Sequence, residues 1–198
     1  MHKFIALALA TLFTAGASAA PQDAKALASG VCSACHGPEG RSVSPVFPRL
    51  AGQQSAYIML QLDAFRGHLR SDPNAQAYMW GMSSQLGDDT IKELADYYAA
   101  QKPVPGQPGD SKLVAAGAEI YGKGVPAQGV PACASCHGAS AEGAAAFPRL
   151  GGQHVDYLVA QLQGFQSGLR SNAPIMSAVV RTLTAEQIKA VAAYAASR

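Results

Sequence analysis

The sequence predicts an all-α fold made of two tandem domains, and three observations support that prediction. The chain repeats itself, since FPRLAGQ at 47–53 returns as FPRLGGQ at 147–153. Apolar residues recur at helical spacing in each half, and no stretch alternates as a strand would. A segment rich in Pro and Gly, PVPGQPG at 103–109, separates the halves as a semi-rigid linker would. A chain of 198 residues is long enough for two small domains.

The repeat covers nearly the whole chain after the first twenty residues. Three further pairs of segments match: 32–40 with 133–143, 57–71 with 157–171, and 86–99 with 183–195. We therefore expect three units after the leader: domain 1 over 20–101, a linker over 102–110 and domain 2 over 111–198.

Helices are predicted at matching places in the two halves. Asp23 and Ser111 are expected to cap a helix ahead of each cysteine pair. The last helix is expected to begin at a cap, Asp88 in the first half and Thr184 with Gln187 as a capping box in the second. The middle helix of each half is expected to bury one apolar face, Tyr57, Ile58, Leu62 and Phe65 in the first half and Tyr157, Leu158, Leu162 and Phe165 in the second. The last helix is expected to bury another, Ile91, Leu94, Ala95 and Tyr98 in the first half and Ile188, Val191, Ala192 and Ala195 in the second.

Composition limits the classes of function. The chain has 15 Lys+Arg against 13 Asp+Glu, a net charge of +2, without a basic cluster. A nucleic-acid partner is therefore excluded, because such a protein needs Lys or Arg to neutralise phosphates. Only 14% of residues are charged, against about 25% in an average soluble chain. Domains this small bury little surface alone, so we expect a bound group to supply part of each core.

The first residues have the anatomy of a secretory signal peptide. Lys3 is followed by an apolar run from Phe4 to Phe13 and then by small residues, with Ala17 and Ala19 in the positions that a signal peptidase reads. We expect residues 1–19 to be removed by cleavage after Ala19, which places the mature protein in a bacterial periplasm. The alternative is an uncleaved membrane anchor.

All four cysteines lie in two CxxCH motifs, Cys32-Ser33-Ala34-Cys35-His36 and Cys133-Ala134-Ser135-Cys136-His137. This motif is the attachment signature of c-type haem. Two thiols on one helical turn can form thioethers with the two vinyl groups of a porphyrin, and the adjacent histidine then faces the iron. The sequence therefore predicts two covalently bound haem c groups, with His36 and His137 as axial ligands of the iron.

Three other roles for the cysteines fit less well. Disulfides are common in exported proteins, but they leave the two adjacent histidines unexplained. A zinc site with four thiolates usually has its CxxC pairs about 15 to 20 residues apart, whereas these pairs lie 97 residues apart. A thioredoxin-like redox motif expects a βαβ unit, and the sequence predicts none.

The repeat selects the second axial ligand. Domain 2 contains one methionine, Met176, seven residues before the leucine that opens the last repeated segment. Met79 lies seven residues before the matching leucine of domain 1, whereas Met82 and Met59 align with valines. Histidine with methionine is an established axial pair in cytochromes c. We therefore predict Met79 and Met176 as ligands, with packing in the core as the alternative role of a methionine.

Other duplicated residues are candidates for supporting roles. Pro48 and Pro148 could accept a hydrogen bond from the axial histidine through their carbonyls, which would fix the orientation of the imidazole. Arg49 and Arg149 could pair with haem propionates. The alternative is an ordinary turn proline and a surface arginine.

Positions are also predicted for five further side chains. Tyr57 and Tyr157 are expected either to reach propionates or to meet between the domains, and Trp80 is expected to pack near the first haem. His68 and His154 are not equivalent in the repeat, so we expect both on the surface instead of at the iron.

Two modules with CxxCH, a downstream FPRL[AG]GQ block and a late methionine together resemble the dihaem cytochrome c4 family, which joins two class I cytochrome c domains. The resemblance covers essentially the whole chain after the leader, although domain 2 has an extra stretch at 122–132. It implies packed haem domains in a soluble or loosely membrane-associated electron carrier. The implied donor is a cytochrome bc-type complex that oxidises quinol, and the implied acceptor is a terminal haem-copper oxidase.

Two other functions are considered beside the carrier. A dihaem peroxidase needs one open haem, which matched methionine ligands would not leave. The haem subunit of a flavocytochrome-type dehydrogenase would look much the same in sequence. Residues 20–101 carry a net charge of −2 and residues 111–198 one of +3. Because positive surroundings disfavour ferric iron, we expect the second haem to have the higher potential.

Overall fold

The computed structural model describes residues 23–198, and the predicted signal peptide lies outside them. Its regular structure is helical, interrupted by loops and by two isolated β-bridges, which confirms the all-α prediction. The first half contains α1 Ala24–Leu27, a π-helical segment Ala28–Cys32, α2 Ser33–His36, a 3₁₀ turn Pro38–Gly40, α3 Ser55–Arg66, a π-helical segment Ala75–Met79, α4 Trp80–Ser83 and α5 Asp88–Ala99. The second contains α6 Ser111–Lys123, a 3₁₀ turn Pro126–Gln128, α7 Ala134–His137, α8 Val155–Gln166, α9 Pro174–Val180 and α10 Ala185–Ala196.

The core of the first half forms where α1, α3 and α5 pack together. The stripe predicted on α5 is buried in full, and Ile58 of α3 packs against it. α1, the π-helical segment and α2 follow one another without a break, so the packing of α1 on α5 fixes the position of the CxxCH motif.

In the second half α10 packs against both α6 and α8. The predicted stripe of α10 is again buried in full. Gly117 of α6 faces the main chain of α10, where a Cβ would overlap the carbonyl of Ala190 and the side chain of Tyr194. The absence of a side chain therefore sets how closely these two helices approach.

The helix caps were predicted correctly at two of four ends. Asp23 accepts hydrogen bonds from the main chain of α1, and Thr184 with Gln187 forms the expected capping box of α10. The prediction for α6 was wrong by one residue, because Asp110, not Ser111, accepts from the free N–H groups. Asp88 is also the first residue of α5 and not its cap, which is Gly87. An acidic residue there still stabilises the helix through its dipole.

The linker contacts both halves at the same point of the repeat. Pro103 lies against Gly52, and the carbonyl of Val104 lies against Gly152. Both glycines have positive φ, 68° and 75°, so a side chain at either would be strained as well as crowded. The glycine directly before the glutamine of each FPRL block therefore leaves the space that the linker occupies. Over residues 23–198, no helix is long and apolar enough to cross a membrane.

Replacing Gly117 with alanine should destabilise the protein by about 1–3 kcal/mol, because the added methyl group overpacks the α6–α10 contact. Guanidinium unfolding of the haem-loaded protein measures this. Gly122→Ala in the same helix is the matched control, since a Cβ there meets nothing within 4 Å. The control should be neutral or more stable by up to about 1 kcal/mol. Equal effects of the two changes would contradict the close approach.

Candidate functional site

Both CxxCH motifs open onto one cavity of about 780 Å³. Residues of both halves line it, and most of the lining side chains are apolar. Burying apolar side chains around such a space is favourable only if an apolar group fills it. The cavity therefore fits a large, flat and largely apolar cofactor attached at each motif.

The four cysteines form no disulfide in the described chain, so their thiols are available for thioethers. Cys32 and Cys133 are half-buried, whereas Cys35 and Cys136 are exposed. Burial raises the pKa of Cys32 and raises that of Cys133 to about 11. Each motif thus has one thiol inside the cavity and one at its rim.

The two histidines end short helices and are held by proline carbonyls. The Nδ1 atom of His36 lies 2.9 Å from the carbonyl oxygen of Pro48, and that of His137 lies 3.1 Å from Pro148. These contacts confirm the bonds expected from the sequence. They leave Nε2 of each ring available to bind a metal. Burial lowers the pKa of both imidazoles, which keeps them in the neutral form that binds iron.

The late methionines lie on helical segments that face the same cavity. Met79 ends its π-helical segment and Met176 lies in α9, and both line the cavity. Met82 lines it as well, with 58% of its surface exposed. Met59 lies in the core of the first half, outside the cavity lining. The assignment of Met79 and Met176 as ligands stays a prediction, and Met82 is the other methionine that lines the cavity.

The FPRL blocks join the two halves through reciprocal hydrogen bonds. The main-chain N–H of Arg49 donates to Gln153, and that of Arg149 donates to Gln53, at 2.9 and 2.7 Å. The two glutamine amides donate back to the carbonyls of the same arginines, at 3.0 and 2.9 Å. Both glutamines are buried. This pattern relates the halves by an approximate two-fold axis and fixes one half against the other.

The guanidiniums of the two FPRL arginines differ. Arg49 donates to the carbonyls of Ser42 and Gly152, so part of its side chain holds the halves together. Nε of Arg149 is buried and has no partner among the protein atoms. Both residues line the cavity, and their predicted contact with propionates stays a prediction.

Two buried arginines at the interface were not anticipated as site residues. Arg70 and Arg170 are 4% and 3% exposed and line the cavity. Arg70 donates to the hydroxyl of Tyr157 and Arg170 to that of Tyr57, at 3.2 and 2.7 Å. The signal for them was present, because both lie in the LRS sequence that ends a repeated segment. Burial alone lowers the pKa of Arg70, but Tyr157, Tyr57 and Asp72 raise it overall, so the guanidinium stays charged.

The remaining candidates lie partly elsewhere than expected. Tyr57 and Tyr157 meet the opposite half, one of the two positions foreseen for them. The indole of Trp80 stacks on His68 at 4.0 Å and is not among the cavity-lining residues. His154 is not a free surface residue, since its Nε2 lies 3.0 Å from the carbonyl of Ser42 in the other half.

The donor set fits haem. Each half offers two free thiols on one turn, an imidazole with its Nδ1 already bonded and a methionine on the same apolar cavity. The buried Nε atoms of Arg149 and Arg170 lack partners in the protein. Since a buried cationic donor without a partner is costly, these atoms suit the carboxylates that a haem carries at one edge.

Comparisons with known proteins agree with this fit. The family model Cytochrome c matches residues 21–100 and 114–197. A cytochrome c4 of Thiocapsa roseopersicina is 41% identical over 88% of this chain and 90% of its own length. A thiosulfate dehydrogenase electron acceptor of Stutzerimonas stutzeri is 48% identical over 84% of this chain and 78% of its own. The cytochrome c4 structure from Acidithiobacillus ferrooxidans has a TM-score of 0.81 at 40% identity, covering 86% of this chain and 99% of that one.

Gln53→Ala should cost about 1–3 kcal/mol of unfolding free energy, because it leaves the N–H and C=O of Arg149 without their partner. Chemical unfolding of the haem-loaded protein measures the loss. Gln107→Ala, at an exposed linker position, is the control and should change stability by less than about 0.5 kcal/mol. If Gln53→Ala behaved like this control, the reciprocal bonds would not hold the halves together.

Proposed function

The chain belongs to the cytochrome c family and, within it, to the dihaem cytochromes c4, which carry two covalently bound haem c groups in tandem domains; on this basis we propose that it is a periplasmic carrier. In this role it takes single electrons from a cytochrome bc-type complex that oxidises quinol and passes them to a haem-copper oxidase or a similar acceptor. The observation that carries the proposal is the matched donor set of both halves on one cavity.

The proposed binding residues follow the repeat. Cys32 and Cys35 hold the first haem and Cys133 and Cys136 the second, within domains over residues 20–101 and 111–198 joined by the linker at 102–110. His36 with Met79, and His137 with Met176, would bind the irons as axial ligands, and Arg49 and Arg149 would face the propionates. Each haem supplies reversible one-electron chemistry between Fe(II) and Fe(III).

The chain's own residues keep that chemistry confined to electron transfer. The Pro48 and Pro148 carbonyls hold the imidazoles in one orientation, so the donor set changes little between oxidation states. The apolar lining excludes water from the metal side of the cavity. A methionine in each half occupies the position that a peroxidase would keep open, which argues against enzymatic activity.

The proposed location rests on residues 1–19 acting as a signal peptide that is cleaved after Ala19. Attachment of haem to CxxCH thiols outside the cytoplasm agrees with four cysteines that form no disulfide. Loose association with a membrane would keep the carrier near its donor and acceptor.

A second candidate function is electron acceptance from a dehydrogenase. A relative at 48% identity bears the name thiosulfate dehydrogenase electron acceptor. Service as the haem subunit of a flavocytochrome-type dehydrogenase belongs to the same class, since there too the protein accepts electrons that another subunit releases. The two candidates differ in the donor and not in the haem sites.

Rapid mixing distinguishes the donors. The oxidised protein should be reduced by a bc-type complex with quinol, and the reduced protein should be reoxidised by a haem-copper oxidase, each followed by the haem absorbance. Reactions that lack the complex or the oxidase are the controls. Reduction by thiosulfate with thiosulfate dehydrogenase, together with no reaction in the quinol assay, would replace the first candidate by the second.

Met79→Ala and Met176→Ala should each remove about half of the near-infrared charge-transfer band that sulfur ligation gives to ferric haem, and each should create one site for carbon monoxide. Absorption spectra with iron quantified as two per chain measure both effects. Met82→Ala is the matched control, since Met82 lines the same cavity, and it should leave the band intact. Loss of the band in Met82→Ala instead would show that Met79 is not the ligand.

A further inference from the structure

The approximate two-fold symmetry of the interface brings Arg70 and Arg170 together. Both guanidiniums donate to the side-chain oxygen of Gln161, at 2.6 and 2.8 Å, so they lie side by side. Each also lies over a phenylalanine of its own half, Phe65 at 4.7 Å and Phe165 at 4.3 Å. Two like charges are thus buried next to each other, which requires compensation from polar or anionic groups.

The two halves compensate these charges differently. Arg70 forms an ion pair with Asp72, Nε to Oδ2 at 2.8 Å, and both residues are buried. The repeat places Asn172 where the second aspartate would stand. Its amide donates to Gln61 at 3.2 Å, while its Oδ1 and the Nε of Arg170 are buried without partners. Among residues 23–198 no protein carboxylate pairs with Arg170, so the first half has one buried carboxylate that the second half lacks.

Both charge arrangements face the haem cavity, since the two arginines, Asp72 and Asn172 all line it. Asp72 lies seven residues before Met79, and Asn172 lies four before Met176. Each therefore lies on the segment that leads to the methionine of its own half. A carboxylate therefore accompanies the first site, and a neutral amide takes its place beside the second.

We propose that the aspartate at 72 and the asparagine at 172 separate the reduction potentials of the two haems, so that a single electron resides on the second haem. This inference rests on the proposed function as a dihaem carrier. The ferric state has one positive charge more than the ferrous state, so the carboxylate of Asp72 favours oxidation of the first haem, whereas the neutral amide of Asn172 gives no such stabilisation to the second. Electron transfer between the two haems forms and breaks no bond, since oxidation of one haem balances reduction of the other.

The size of the effect follows from the burial. One buried charge at an effective dielectric constant of about 20 changes a neighbouring one-electron equilibrium by about tenfold, which corresponds to about 59 mV. The opposite net charges of the two halves act in the same direction, but exposed charges are screened within about 3 Å at 1 M salt. A difference in reduction potential that persists at high salt therefore comes from Asp72 and Asn172 and not from surface charge.

The decisive variant is the exchange Asp72→Asn with Asn172→Asp, which preserves composition and net charge. Redox titration of the holoprotein is followed by absorbance and by the NMR signals of the Met79 and Met176 methyl groups, which report each half separately. The exchange should lower the equilibrium constant that favours the electron on the second haem by about tenfold or more, at low and at high salt. A constant that changes less than about twofold overturns the inference.

Two further variants keep the test decisive. Asn172→Asp alone retains the Arg70–Asp72 pair, and it should lower the potential of the second haem if the exchange variant fails to fold. Asp89→Asn removes an exposed charge from the same half as Asp72, and its effect should vanish at high salt. An effect of Asp89→Asn as large as that of Asn172→Asp, and equally resistant to salt, would show that burial at 72 and 172 is not the source and would overturn the inference. Carbon monoxide binding by the unaltered protein would instead refute the proposed function, which makes the two failures distinguishable.

Discussion

The hydrogen bond between the histidine of each CxxCH motif and a proline carbonyl is the contact on which the rest of this structure depends. In each half the proline belongs to the FPRL block, whose arginine main chain is held by a glutamine of the opposite half. The proline and the arginine of each FPRL block are neighbours in the chain, so one short segment both orients the imidazole and joins the domains. A shift of one half would move the proline that fixes the histidine, so the interface and the geometry of each site cannot change independently.

The small core of each half explains why the cofactors are structural as well as functional. α3 with α5, and α8 with α10, bury narrow apolar stripes, while other apolar side chains face the cavity. Filling that cavity with two haems supplies contacts that a chain of this size cannot make with itself. Covalent thioethers suit this arrangement, because they hold a cofactor to a domain too small to bind it by packing alone.

The two halves match in the residues that hold the haems and differ in the charged groups around them. Cysteines, histidines, prolines and methionines recur at matching positions, which gives both irons the same kind of donor set. The surroundings of the charged groups do not recur. Asn172 stands where the first half has Asp72, and Arg49 donates across the interface while Nε of Arg149 lacks a protein partner. A carrier with two equal sites would hold its electron on either. A buried charge difference instead assigns the electron a preferred position.

The sequence by itself determined the helical class, the duplication and the two covalent haems, because these depend on motif spacing and on the repeat. The repeat also predicts Met79 and Met176 as the methionine ligands, since it excludes unmatched residues. It also predicted the proline carbonyls, since both lie at nearly the same distance from their histidines. It did not anticipate that Arg70 and Arg170 are buried together, that His154 reaches Ser42, or that Trp80 stacks on His68 away from the cavity. The contacts of Arg70 with Arg170 and of His154 with Ser42 form between the halves, so only the packing of one half on the other brings these residues together. Trp80 and His68 instead meet through the folding of the first half alone.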